Sequence, residues 1–518
     1  MIHEILKRVF SIKRTQFIRD SKDLKSIQEK RLSVIFNSLK KTEHYGSLQN
    51  PDQLLSLPIR NYADFEPLID RQILSKQPIL CRNLVRVELT SGSTSKKKKI
   101  LYSKEFLKEI NEASTVWMAD LYSKYPGIKN GPHYWTLSWS PGQDTDDSEL
   151  FPWIQRFFLQ KVLLLNQKIR STPTLESSWF ATLVSLVACR KLCLISIWSP
   201  TLLSRIRRDI QNESVNIFNT LKTQQWCLYN LELSGQIPVP WFDGTIGLDD
   251  LANFNMQKIW PCLSLVSAWD SSSSRYYYDE IRNQLPSLSF QGKGLWATEG
   301  VVTIPFEDKK VLAFKSHYYE FKCVETQKII PSWKLERDQI LEPIITSANG
   351  LARYHIEDRI QVSGFYNSLP CFEFLGRSAT SDLVGEKLSD TAFFEIQSDM
   401  LKKFSIKNIL FFAVGSSQPF YFGLFESQEQ TLTDQQTMAN YLEESLCTHF
   451  NYQVARNLNQ LQAAAMHRSH DLTTCLDILA RSYSAQGQFK VQPLYRISAD
   501  TLNQIATTFE DNFQKIHR

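Results

Sequence analysis

Ten residues, Thr90 to Lys99, read Thr-Ser-Gly-Ser-Thr-Ser-Lys-Lys-Lys-Lys. Side-chain hydroxyls, one glycine and four consecutive lysines in a single loop can offer hydroxyl donors, backbone N–H groups and positive charge to one polyphosphate. The same make-up also suits a solvated basic turn, so the flanks must decide. Residues 84–89 alternate apolar and polar side chains as a strand does, and Ile100-Leu101-Tyr102 begins a second strand. After Ser103, Phe106, Ile110, Ala113, Trp117 and Leu121 recur at helical spacing. The loop therefore joins two strands. A Walker-type loop would need Gly-x-x-x-x-Gly-Lys-Ser/Thr opening directly into a helix, and a kinase-type loop would need more glycines than Gly92.

Three further segments carry chemistry. Leu295-Trp296-Ala297-Thr298-Glu299-Gly300 ends a strand in a carboxylate beside a hydroxyl. Glu299 suits Mg²⁺ shared with ATP phosphates, because Mg²⁺ takes one or two carboxylates plus phosphate oxygens. Trp296 can wall an adenine slot; the plainer alternative is a strand end with an exposed glutamate. Gly350 to Arg359 mixes both signs of charge ahead of the strand-like Ile360-Gln361-Val362. There Asp358 can accept from two ribose hydroxyls, or the segment is a surface ion-pair turn using Arg353 or Arg359. His355 reads as structural. Phe374-Leu375-Gly376-Arg377 and the following Asp382 to Leu388 supply Arg377, able to reach ribose or phosphate from a hinge, and Lys387, able to contact phosphate.

These groups need a scaffold. Residues 1–80 read as polar helices with a Pro51-Asp52 turn, and from about 82 to 375 strand and helix patterns alternate as in layered α/β folds. One unit is a buried helix over 178–192, a buried strand over 193–198, then Ser199 as N-cap and Pro200 in the first turn of the next helix. A second runs from a strand over 263–269 through a helix near 276–285 to a strand entering Gly294-Leu295-Trp296, with Ser271–Ser274 as a loop. The polar stretch 376–390 reads as a hinge, and a helix starts near Ser389-Asp390. The fold class expected is α/β: a large N-terminal domain of β-sheets layered with helices (1–378) and a smaller, mobile α+β domain (379–518).

Composition sets bounds on function. At 518 residues, 42% hydrophobic and 22% charged, the chain is an ordinary globular protein long enough for two domains. A net charge of +5 lacks the concentrated basic face of a nucleic-acid binder. Nine scattered cysteines without Cys-x-x-Cys or zinc spacing indicate reduced thiols and a cytoplasmic setting. Residues 179–198 are the most apolar stretch, but Arg190-Lys191 interrupts it before it could span a bilayer, so no membrane partner is expected.

In order and separation, the four motif segments resemble the Gretchen Hagen family of acyl acid–amido synthetases, a branch of the adenylate-forming superfamily. Thr90–Lys99 is similar to the family's Ser/Thr-rich phosphate loop, Trp296-Ala297-Thr298-Glu299 to its Ala-Ser-Ser-Glu motif, and Gly350–Asp358 to its Gly-Leu-Tyr-Arg-Tyr-Arg-x-Gly-Asp. Trp260-Pro261, Gly364-Phe365, Gly385–Leu388 and Gly487–Lys490 extend the resemblance over about residues 80–495. It departs at Lys96 (glycine in the family), Lys98 (proline), Ala352 (tyrosine) and Glu357 (glycine). The resemblance implies an ATP- and Mg²⁺-dependent ligase that adenylates a small carboxylic acid and passes the acyl group to an amine or amino acid. Ser91, Gly92, Ser93, Thr94 and Ser95 would cradle phosphate, with Lys97 or Lys99 adding charge. Glu299 would hold the metal, Trp296, Ala297 and Thr298 would border the nucleotide, and Asp358 would bind ribose. Arg377 would act at the hinge, with Lys387 or Lys490 approaching the phosphates in one domain orientation. The acyl pocket would draw on 179–198 and on Val266–Trp269. A monomer or weak dimer is expected. The rival readings are an acyl-adenylating thioester ligase and a degenerate binder, the latter resting on Lys96 and Glu357.

Overall fold

In the computed structural model, residues 2–90, 98–136, 162–164, 167–271, 274–377, 380–381, 383–404, 406–416, 418–427, 435–483 and 491–509 are described. Four strands, His133–Trp135, Leu194–Ser196, Leu265–Ala268 and Ser289–Gly292, pair in that order and all in parallel. Parallel strands are covered on both faces, as the fully buried Leu194-Ile195-Ser196 shows. Helices Leu175–Ala188 and Thr201–Asn212 supply that cover through Phe180, Leu183, Val187, Ile206 and Ile210. The first starts earlier than its apolar run suggests because Thr174 caps it, accepting from the Ser177 N–H. The second corrects a detail. Pro200 itself occupies the N-cap position, its carbonyl accepting from the Leu203 N–H at 3.0 Å, while Ser199 turns its hydroxyl to Thr201, 2.7 Å away.

Beyond Gly292 the expected alternation of strands and helices gives way to antiparallel pairing. The order across the second sheet is Ile329–Pro331, Tyr318–Cys323, Ile340–Thr346, Asp358–Tyr366, Leu369–Arg377, Lys309–Leu312 and Thr303–Phe306, with Tyr354–His355 paired to Ile340–Thr346. The N-terminal helices Ile2–Asp20, Leu24–Leu39 and Tyr62–Ser75 pack over it, so that Phe17, Leu32, Ile35 and Phe65 share one core with Phe306, Phe314, Tyr319 and Phe321.

The helix Lys104–Lys124 links the two sheets. Ser103 caps it by accepting from the Phe106 N–H, and its periodic residues are all buried as anticipated. Phe106, Ile110 and Ala113 join the antiparallel sheet's core, while Trp117, Met118 and Leu121 pack with Leu194 and Leu265 of the parallel sheet.

After residue 377 a third sheet orders Ala465–Arg468, Phe420–Ser427, Ile406–Val414 and Leu494–Ile497. Ser389 caps the helix Asp390–Lys403 against one face, as its position suggests. The other face is completed from outside: Tyr277, on helix Ser274–Gln284, is buried among Phe412, Phe422, Leu476 and Tyr495. The Asn408 amide donates to its hydroxyl, and Arg208 pairs with Asp477 alongside. Among the described residues no helix is long and apolar enough to cross a membrane.

Candidate active site

The lysine-rich loop does lie between two antiparallel strands, Leu84–Leu89 and Lys99–Ser103. Its base is closed by the Thr90 N–H donating to the Lys98 carbonyl at 2.9 Å and the Lys98 N–H donating to the Thr90 hydroxyl at 3.2 Å. Ser91, Gly92, Ser93, Thr94, Ser95 and Lys97 lie outside the described residues, as do Lys96 and Lys490.

Glu299 sits at a tight reversal. Trp296–Ala297 pairs with Gly300–Val301, which leaves Thr298 and Glu299 as the two turn residues. Trp296, Ala297 and Thr298 are half-buried around it. Three contacts fix this turn. Tyr102 donates to the Thr298 carbonyl at 3.0 Å, and Tyr319 to the Val301 carbonyl at 2.6 Å. His317 Nε2 accepts from the Val301 N–H at 3.1 Å, so the ring's proton lies on Nδ1, which faces Glu109 Oε2 at 2.9 Å. Glu109 and His317 are fully buried, and Arg31 donates to the other Glu109 oxygen at 2.7 Å. Gly300 is required by space: a Cβ there would stand 2.9 Å from His317 Nε2.

Two groups meet the Glu299 carboxylate. The Tyr354 hydroxyl donates to Oε1 at 3.1 Å, and Lys98 Nζ stands 3.6 Å from the same oxygen while donating to the Tyr354 hydroxyl at 3.3 Å. Lys99 does not join them. Successive strand side chains point to opposite faces, and Lys99 pairs with Asp70 at 2.8 Å on the surface. Lys98, one of the two departures from the family loop, is the residue brought to the carboxylate.

Tyr354 is aimed by its neighbours. Arg353, at φ +52°, makes a two-pronged pair with buried Glu320, both bonds 3.0 Å, and donates to the Leu57 carbonyl at 2.7 Å. Gly350, at φ +96°, has no room for a Cβ, which would lie 2.5 Å from that of Leu80. Both arginines of the suspected ion-pair turn have acids of their own: Arg353 has Glu320, and Arg359 Nε lies 3.7 Å from Glu342. His355 bonds Glu342 at 2.9 Å, consistent with a structural role. Asp358 is buried at the start of its strand, directly across the ladder from Arg377. Glu357 is exposed whereas Asp358 is buried, which weakens one of the two supports for a degenerate binder.

Lys387 is exposed at φ +49° and makes no hydrogen bond or ion pair with the Glu299 cluster among the described residues. Its neighbour Glu386 is the buried one, accepting from the Leu383 and Val384 N–H groups at 2.7 and 2.8 Å and from the Tyr421 hydroxyl. No three His, Cys, Asp or Glu side chains converge among the described residues. A lone carboxylate with one oxygen already engaged fits a cation shared with phosphate oxygens, as Mg²⁺ prefers, rather than an all-protein cage. Sequence reasoning missed Glu109, His317 and Lys98.

The model of the GH3 family N-terminal domain matches residues 13–290, and that of the GH3 family central domain matches residues 310–377. The 4-substituted benzoates-glutamate ligase GH3.12 of Arabidopsis thaliana is 21% identical over 420 residues, covering 72% of each chain. The probable indole-3-acetic acid-amido synthetase GH3.9 of Oryza sativa subsp. japonica is 24% identical over 133 residues, which is 24% of this chain and 30% of that protein. Among solved structures, the GH3.15 acyl acid amido synthetase superposes with a TM-score of 0.77 at 15% identity over 95% of this chain and 94% of its own. AtGH3.15 acyl acid amido synthetase in complex with 2,4-DB gives 0.76 at 14% identity, covering 96% of both chains. These two likenesses establish the shared fold.

Proposed function

Because the chain belongs to the GH3 family, we propose that it is an ATP-dependent acyl acid–amido synthetase. The carboxylate of a small organic acid attacks the α-phosphate of ATP, giving an acyl-adenylate and pyrophosphate. An amine, that of an amino acid, then attacks the acyl carbon and releases AMP. The observation that carries this reading is the convergence of Lys98, Tyr354 and Glu299, with a hydroxyl- and lysine-rich sequence directly preceding Lys98, in a chain of this family. Relatives named as ligases of benzoates with glutamate, or of indole-3-acetic acid, support both substrate classes.

The protein's contribution is placement and charge. Lys98 and the loop lysines offset phosphate charge, and Tyr354 orients the Glu299 carboxylate. Mg²⁺ held at Glu299 would neutralise charge on the departing pyrophosphate. Asp358 is assigned to the ribose and Trp296 to the base. Arg377 is assigned to the hinge between domains 1–378 and 379–518, with Lys387 or Lys490 reaching the phosphates when the smaller domain turns. Nine unpaired cysteines suit a reducing, cytoplasmic setting.

The test is pyrophosphate release with ATP, Mg²⁺ and a panel of aromatic, indolic and aliphatic acids, with and without mixed amino acids, the products read by mass. An acid-dependent signal and an amide mass are expected. A thioester formed in preference when coenzyme A is supplied, or ATP binding without pyrophosphate release, overturns the assignment.

A further inference from the structure

Lys293 is buried, with 6% of its surface exposed, at the C-terminal end of strand Ser289–Gly292. Its ammonium donates to the Ser196 hydroxyl at 2.8 Å and lies over the indoles of Trp117 and Trp198, 4.6 and 5.0 Å from the ring centroids. Trp117 is itself pinned, its Nε1–H donating to Gln291 at 2.9 Å. No carboxylate pairs with Lys293 among the described residues. The nearby acid is committed elsewhere: Asp270 pairs with Lys310 at 2.5 Å. A small cavity lined by Trp269, Leu295, Thr303, Lys310 and Phe374 borders the Lys293 residue. The C-terminal edge of a parallel sheet is where open α/β sheets receive ligands.

A desolvated ammonium with one neutral hydrogen-bond partner is costly to maintain, and a ligand anion would relieve that cost. Burial alone draws the Lys293 pKa down to about 7. Location decides which anion. The Glu299 turn is tied to the helix Lys104–Lys124 at its first turn, where Phe106 stacks on His317, whereas Lys293 meets the same helix at Trp117. Eleven residues of helix separate the two levels by about 16 Å, and the six-residue chain path from Lys293 to Glu299 allows at most about 20 Å. Lys293 therefore meets that helix about three turns beyond the level of the Glu299 turn.

We infer that Lys293 Nζ anchors an anionic group at the far end of the acyl acid, a second carboxylate remote from the one that is adenylated. This rests on the amido synthetase reading and narrows its substrate to acids carrying two anionic ends.

The test compares adipate, suberate and sebacate with hexanoate, octanoate and decanoate, using the full chain and its Lys293→Met variant. Binding is read by calorimetry without ATP, and turnover by ATP–pyrophosphate exchange. The dicarboxylates are expected to bind the native protein at least tenfold tighter than their single-ended partners. Lys293→Met should erase that difference through KM, leaving monocarboxylate binding and the KM for ATP unchanged. Ser196→Ala, which removes only the hydroxyl that aims Nζ, should narrow the preference and serves if the methionine variant does not fold. Equal affinity for both series in the native protein, or equal loss of both in the variant, overturns the proposal. Dicarboxylate binding that depends on Lys293, without exchange by any acid, keeps the anion site and rejects the ligase reading.

Discussion

Glu299 and Lys293 stand six residues apart on one stretch of chain, yet their surroundings are opposite. The Glu299 turn is held on both carbonyl and N–H sides by Tyr102, Tyr319 and His317, and its carboxylate already faces a hydroxyl and an ammonium. Lys293 is more deeply buried and has a serine hydroxyl and two indole faces in place of an acid. A charge that must meet the same polyphosphate on every turnover gains from fixed geometry. A charge kept for a ligand must be left without an internal partner, at a cost in stability.

The contrast can be broken at four points. Glu299→Ala should lower ATP–pyrophosphate exchange by about a hundredfold or more, the scale of losing a preorganised electrostatic group; a drop below tenfold would place the metal on another residue. Glu109→Ala strands Arg31 and leaves His317 without its acceptor, and should cost about 3–5 kcal/mol in denaturant unfolding, as breaking a buried pair does. A loss under one kcal/mol there would mean that the turn is held by other contacts.

Lys293 gives a signature in pH. Its folded pKa is about 7, below the unfolded value, so between about pH 7 and 10.5 the unfolded chain binds the extra proton. Stability should therefore rise with pH across that window and fall towards neutrality, and Lys293→Met should remove this group's contribution to the slope while leaving stability at pH 7 equal or higher. An identical pH profile in native and variant proteins would show that Lys293 is paired. The smallest effects separate adjacent lysines. Lys98→Ala should raise the KM for ATP about tenfold, roughly the loss of one charge-assisted contact, whereas Lys99→Ala should leave kinetics within twofold because its partner Asp70 is a surface acid. Matching effects would reverse the assignment of faces.

What could be read in the sequence was local. Ser103 and Ser389 announce their helices because a cap acts within three residues. The strand leading into the lysine loop shows in the alternation of apolar and polar residues over 84–89. That same alternation could have separated Lys98 from Lys99, had the pairing of Leu89 with Lys99 been known. Glu109 and His317 gave no such signal: each is an isolated polar residue in sequence, and their pairing spans 208 positions. The strand order of the antiparallel sheet was hidden for a similar reason, since Lys309–Leu312 pairs with Leu369–Arg377 across a long intervening meander. Lys293 stands in the sequence as a lone cation between Gly292 and Gly294, but its indole walls come from residues 117 and 198.

Tyr277 bears on how the C-terminal sheet can travel. Its ring is a peg from the first 290 residues set in a socket made by residues beyond 400, with Asn408 latching the hydroxyl. Any turn of that sheet must first draw the peg, wetting a phenol and opening a void among Phe412, Phe422 and Tyr495. Such a joint favours two discrete seats over a continuous swing. Tyr277→Ala would loosen the joint without touching the chemistry, leaving the Arg208–Asp477 pair to hold it.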